Sequence, residues 1–138
     1  DRTDEMALAP VYDCGSCLYP QADEKIMEAV LSDPGERNHR IYNIPLSAIM
    51  LDGKKIKYFD FISSLQNEDC NRALKRIVPR IDMGKIKEII DRTPFISNLQ
   101  KDFYLTMLTE RKAHILDFSL AALMKKERSI QGEKNNRR

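Results

Sequence analysis

SNLQKDFYLTMLTERKAHILDFSLAALM, residues 97–124, decides the fold class. Ser97 followed three positions later by Gln100 has the pattern of a capping box, in which serine and glutamine side chains satisfy backbone N–H groups left unpaired at a helix start. Beyond it Leu99, Phe103, Met107 and Leu108 share one helical face, and Ile115, Leu116, Leu120 and Leu123 share a later one. This spacing predicts a long helix running to Met124. An apolar stripe of this kind is more often the inside of a packed body than a groove, although Met and Phe side chains can also receive a partner.

Upstream of that stretch the helical period continues in shorter pieces. Thr93-Pro94 breaks a helix predicted over residues 83–91, which Asp82 can cap and whose Ile86, Ile89 and Ile90 form a stripe. Asn67 suits the N-cap of a helix over residues 68–78, with Glu68 and Asp69 at the positive end of its dipole and Pro79 ending or bending it. Phe59, Phe61, Ile62 and Leu65 predict one short helix more. Between apolar flanks, Asp52-Gly53 is the signal of a tight hairpin. A first helix over residues 22–31 places Ile26, Met27 and Val30 inward and stops at Ser32-Asp33-Pro34-Gly35, leaving residues 36–47 irregular. MALAPVY, residues 6–12, reads as a strand, with Pro10 favouring an edge or an end. The expected architecture is mainly α and bundle-like, with one short N-terminal strand and a small β-hairpin.

A length of 138 residues accommodates one domain, and 42% hydrophobic with 32% charged residues excludes collagen-like and largely disordered classes. No apolar run approaches the roughly 20 residues of a membrane span. Asp1-Arg2-Thr3-Asp4-Glu5 lacks the basic-then-apolar order of a secretory signal, and three cysteines, an odd count, fit reduced thiols; the expectation is a cytoplasmic chain away from membranes. Net charge is +2, but residues 1–36 sum to −7 and residues 125–138 to +4, leaving −2 on residues 1–124. That body carries no basic stripe, so direct nucleic-acid binding is not expected. Residues 1–124 read as the folded unit and residues 125–138 as a basic, disordered tail.

Several chemistries fail on inventory. Cys14-Gly15-Ser16-Cys17 has the C-x-x-C spacing, but Cys70, His39 and His114 form no second close pair for zinc, and no β-α-β pattern surrounds the motif. Neither histidine lies in a motif that would bring it to Ser16, Cys14 or Cys17. Gly-rich phosphate loops are absent from the sequence. What remains is Tyr12-Asp13-Cys14-Gly15-Ser16, a carboxylate at the end of an apolar strand with glycine two residues on. Such an Asp offers Mg²⁺ a hard oxygen, and Gly15 lets the backbone turn aside so that phosphates can approach. The same D-x-G can also make a plain turn.

The wider context is more specific. APVYDCGSCLYP at 9–20, followed by PLSAI at 45–49 and DGKKI at 52–56, resembles the HipA-like serine/threonine kinases. The first block is similar to that family's A-P-x-Y-D-x-G-S segment, its counterpart of the kinase D-F-G, and the likeness runs over residues 6 to about 120. By resemblance Asp13 takes the Mg²⁺-binding role, while Gly15 and Ser16 shape the loop facing the ATP phosphates. The family's catalytic loop, with its base aspartate and metal-binding asparagine, and its N-terminal ATP-holding lobe have no counterpart upstream of Asp13. Asp1 has no asparagine at the required spacing and receives no role. The resemblance thus implies a piece of a kinase C-lobe, inactive alone, with Mg²⁺ and ATP as cofactors of the intact kinase that this piece does not bind tightly. It implies the N-terminal lobe as partner and admits a helix-turn-helix antitoxin, with DNA reached only through it. The alternative is a small helical interaction module, related to toxin–antitoxin pairs, without catalysis.

Overall fold

The computed structural model describes residues 18–19 and 21–135, with side chains to residue 133. The strand expected at residues 6–12 lies outside them.

Local capping chemistry sets the helix starts. Asp23 accepts from the Ile26 N–H at 2.8 Å and opens α1 (Glu24–Ser32). Asp33 then ends α1 and, accepting from the Gly35 N–H, opens α2 (Pro34–Asn43). Residues 36–43 are therefore helical, against the irregular segment expected there. Pro34-Gly35 looks like a stop, yet Pro at the first helical position is pre-set for a start, because its missing N–H is an unpaired group anyway.

The hairpin forms as expected. Met50–Leu51 (β1) pairs antiparallel with Lys54–Lys55 (β2), and Asp52 and Gly53 both have positive φ, 50° and 76°. That is the primed turn whose twist matches paired strands. α3 (Tyr58–Ser63) follows, then α4 (Glu68–Ile77), capped by the Asn67 side-chain Oδ1, which accepts from the Cys70 N–H at 2.9 Å. Pro79 converts the end of α4 into a 3₁₀ turn over Val78–Arg80. Asp82 caps α5 (Met83–Arg92) through the N–H groups of Gly84 and Lys85. In α5 only Ile90 is buried, while Ile89 is 67% exposed, so the expected isoleucine stripe is split between core and solvent.

Ser97 and Gln100 make both halves of the capping box at the start of α6 (Asn98–Arg111). The long helix predicted from there is continuous but contains a π-helical turn at Lys112–Asp117, spanned by a Lys112–Asp117 ion pair at 2.8 Å, before α7 (Phe118–Asn135). α7 continues past Met124, so residues 125–135 extend the helix in place of the irregular tail read from their composition. Lys, Glu and Arg are good helix formers, and Lys75 of α4 holds Glu127 at 2.7 Å. The side chains of residues 125–133 remain exposed, as their polarity requires.

Phe103, Met107, Ile115, Ser119 and Leu123 are the buried positions of this long helical rod. They recur every fourth residue or twice that, longer than the 3.6 of an α-helix, so the buried stripe winds around the rod. Its first part packs on α1, α2 and α5 and its later part on α3 and α4. The main core joins Met27, Val30, Ile41, Phe103, Met107 and Ile115. The stripe of residues 99–124 is thus spent on the protein's own interior.

Candidate functional site

Asp13, Gly15 and Ser16, together with Cys14 and Cys17, lie outside the described residues. At Leu18 and Tyr19 begins a polar network that ties distant parts of the sequence together. Tyr19 adopts φ +56°, a left-handed conformation that costs a non-glycine residue on the order of 1–3 kcal/mol and persists where surrounding contacts over-determine it. Those contacts are specific. The Tyr19 hydroxyl donates toward the Ile44 carbonyl at 2.7 Å, with the Arg40 carbonyl at 3.1 Å, and accepts from Arg111 Nη2. Arg111 also donates to the Ile44 carbonyl at 2.7 Å.

The ring of Tyr19 is held as firmly as its hydroxyl. Its face lies 4.9 Å from the Arg111 guanidinium carbon and 5.7 Å from that of Arg40, and its centroid is 6.0 Å from that of Phe103, edge to face. Arg40 is itself oriented by Glu36 at 2.9 Å, one turn earlier on α2. One tyrosine thereby joins the entering chain to the end of α2 and the end of α6.

Burial pushes the Tyr19 phenol above its ordinary value, with the two guanidiniums opposing. A raised value means that the fold favours the neutral phenol. Its contribution to stability is complete below about pH 10, where the unfolded tyrosine titrates, and is lost as pH rises through the folded value. Denaturation midpoints at pH 8 and pH 11 should therefore fall further for the native chain than for Tyr19→Phe. Equal losses would contradict this environment.

Beside the network lies an apolar groove of about 400 Å³, walled by Tyr42, Ile44, Pro45, Tyr58 and Leu116, with Arg111 on its lining. Tyr42 packs on Phe59 at 5.0 Å and on His114 at 6.3 Å. His114 sits 2.8 Å from Glu110 on the same helix, and both histidines are exposed, as a surface role implies. Cys70 is half-buried, and burial raises its thiol above the ordinary value, making it less reactive. Among the described residues no group of three or more His, Cys, Asp or Glu side chains could hold a metal ion, and no helix is long and apolar enough to cross a membrane.

Tyr19, Arg40 and Arg111 carried no role in the sequence. One signal was available: Leu99, Phe103, Met107, Arg111 and Ile115 recur every four residues, which places an arginine on the core stripe. A charge there needs built partners.

This helical body, with one small hairpin among the described residues, is a kinase-like fold, and the chain is homologous to part of a serine/threonine kinase. It is 55% identical over 114 residues to serine/threonine-protein kinase CtkA of Helicobacter pylori, covering 82% of this chain and 35% of that protein. The crystal structure of a Helicobacter pylori proinflammatory kinase CtkA superposes with a TM-score of 0.80 at 52% identity, covering 85% of this chain and 40% of the other. The chain spans little more than a third of the length of the curated relative. No family model matches it.

Proposed function

We propose that this chain forms part of the C-terminal lobe of a HipA-like serine/threonine kinase that transfers phosphate from ATP. The supporting observation is the 55% identity to CtkA, taken with the APVYDCGS block at residues 9–16. In this proposal Asp13 is a Mg²⁺ ligand, and Gly15 and Ser16 shape the loop that faces the phosphates. The donor chemistry fits: Mg²⁺ prefers oxygen and is commonly held by one or two carboxylates together with water and substrate phosphates, so one aspartate is a suitable share. When bound, the ion would neutralise charge on the phosphate oxygens. In this proposal the chain's own contribution is the Asp13 carboxylate, with Gly15 supplying a residue type that lets the backbone turn aside for the phosphates.

The nucleotide lobe and the catalytic base belong, in this proposal, to polypeptide other than these 138 residues, and the piece alone is inactive. The acidic surplus of residues 1–36 supports weak nucleotide binding by this piece, since an anion would meet unfavourable charge without a cation between. Incubated with labelled ATP and Mg²⁺, the chain alone should give no steady phosphate transfer and no tight nucleotide binding; observing transfer or tight binding would refute incompleteness. A cytoplasmic location follows from the reduced-thiol reading of three cysteines. A helix-turn-helix antitoxin partner is supported by the family resemblance alone. The alternative of an interaction module built on residues 99–124 is disfavoured, because that stripe is buried in the core.

A further inference from the structure

We infer that the groove formed by α2, α3 and the π-helical turn is a docking site for a peptide segment of a partner protein, one that carries two apolar residues flanked by acidic ones. The inference is independent of the metal role proposed for Asp13. The groove has two adjoining compartments, of about 400 Å³ and about 160 Å³, and Tyr42, Pro45 and Tyr58 line both. Concavities of this size, lined by apolar and aromatic side chains with a few polar groups, are where ligands bind. The walls are already fixed. Ile41 and Ile115, on the larger compartment, belong to the buried core, and Tyr42 is held edge to face by Phe59 at 5.0 Å. The Ile44 carbonyl accepts from Tyr19 and from Arg111, each at 2.7 Å. Little ordering cost therefore falls on binding.

Charge and shape select the occupant. Lys55 and Lys57 line the smaller compartment, both are exposed, and neither has a hydrogen bond or ion pair among the described residues. No Asp or Glu lines either compartment; Asp52 and Asp60, the acids flanking this stretch in the sequence, lie outside both linings. An acidic segment thus meets cations and no carboxylate at the rim, which favours it over neutral and basic competitors. Leu46, on the same lining, is 85% exposed, so the apolar surface there is uncovered. Two apolar compartments side by side suit two spaced anchor side chains of one peptide. A lipid surface is flat on this scale and would leave the concavity unfilled. Two free lysines are too few for a nucleic acid, whose binding rests on many phosphate contacts.

Fluorescence anisotropy of labelled peptide pools on the 138-residue chain tests the site. Each pool carries two apolar residues at variable spacing, flanked by Asp and Glu, by Ser and Asn, or by Lys and Arg. The acidic pool should bind about 10-fold or more tighter than the other two, with the preference shrinking at high salt because the rim charges are solvent-exposed. Lys55→Glu/Lys57→Glu should abolish that preference, and Leu46→Ser should weaken binding several-fold. All three side chains are exposed, so circular dichroism should stay native in both variants. Lys125→Glu, an exposed cation outside the groove, should leave affinity unchanged. With the tightest acidic peptide, NMR signals of Tyr42, Tyr58, Ile62 and Leu116 should shift while those of Leu123 and Ile130 stay in place. Equal binding of the three pools, native affinity in the double variant, or shifts centred on α4 and α7 would overturn the proposal. So would self-association that the double variant abolishes, which gives the face to a second copy, or binding to phosphatidylglycerol vesicles with no peptide selected, which gives it to a lipid surface.

Discussion

Asp13→Ala, made in an active kinase that contains this stretch, should reduce Mg²⁺-dependent phosphoryl transfer by about 10³-fold or more while the helical body keeps its fold. That size follows from the chemistry. Phosphoryl transfer spreads charge over the phosphate oxygens, and a correctly held divalent ion supplies several kcal/mol of transition-state stabilisation, at ~1.4 kcal/mol per tenfold in rate. Asp13→Asn keeps an oxygen but loses the charge, so it should retain little more activity than the alanine variant. The loss should be partly masked by raised Mg²⁺ if the carboxylate contributes mainly to ion affinity. Circular dichroism and the denaturation midpoint should be close to native, since the core of the described residues is built by Met27, Val30, Ile41, Phe103, Met107 and Ile115. Normal turnover in Asp13→Ala would remove the role assigned to it and leave the D-x-G as a turn.

Phe103→Ala should destabilise the chain by about 3–5 kcal/mol, the usual range for emptying a fully buried phenylalanine site. Phe103 is completely inaccessible to solvent and touches the core formed with Met27, Val30, Ile41, Met107 and Ile115. It also packs edge to face against Tyr19 and Tyr104, with centroids 6.0 Å and 5.8 Å away, which adds to the loss beyond buried area. Domains of this size are stable by roughly 5–15 kcal/mol, so such a change takes a large share of the total. Urea titration should show a much lower midpoint with the slope retained. Phe103→Leu, which keeps most of the volume, should lose far less. A midpoint in Phe103→Ala within error of the native chain would mean that the core is centred elsewhere.

Most of the helical body was legible because its signals are local. Asn67, Asp82 and the Ser97/Gln100 pair each mark a helix start, and the side-chain oxygens bond to the backbone where the sequence places them. Asp52-Gly53 was equally clear, since a two-residue turn with both φ positive admits few other sequences. What misled was punctuation that serves two helices at once. Asp33-Pro34-Gly35 ends α1 and begins α2, so a stop signal concealed a start. Past Met124 the loss of apolar residues looked like the end of order, whereas a solvated helix anchored to α4 by Lys75 needs no apolar face of its own there.

The candidate site was legible in a different way. The D-x-G and its neighbours name a chemistry through residue types, whereas the polar network at Tyr19 leaves almost no local sign. Tyr19, Ile44 and Arg111 are far apart in sequence and meet only after α2 and α6 have packed. Arginine on an otherwise apolar stripe was the one sign of a partner, and its partner's identity depended on the fold.

The measurement that bears most directly on the kinase assignment is a crystal structure of a complete kinase containing this stretch, bound to Mg²⁺ and a non-hydrolysable ATP analogue. The expected result is an ion about 2.0–2.1 Å from an Asp13 carboxylate oxygen, bridging to the phosphates. An Asp13 side chain turned into a closed reverse turn, with the ion held wholly by other residues, would contradict the account.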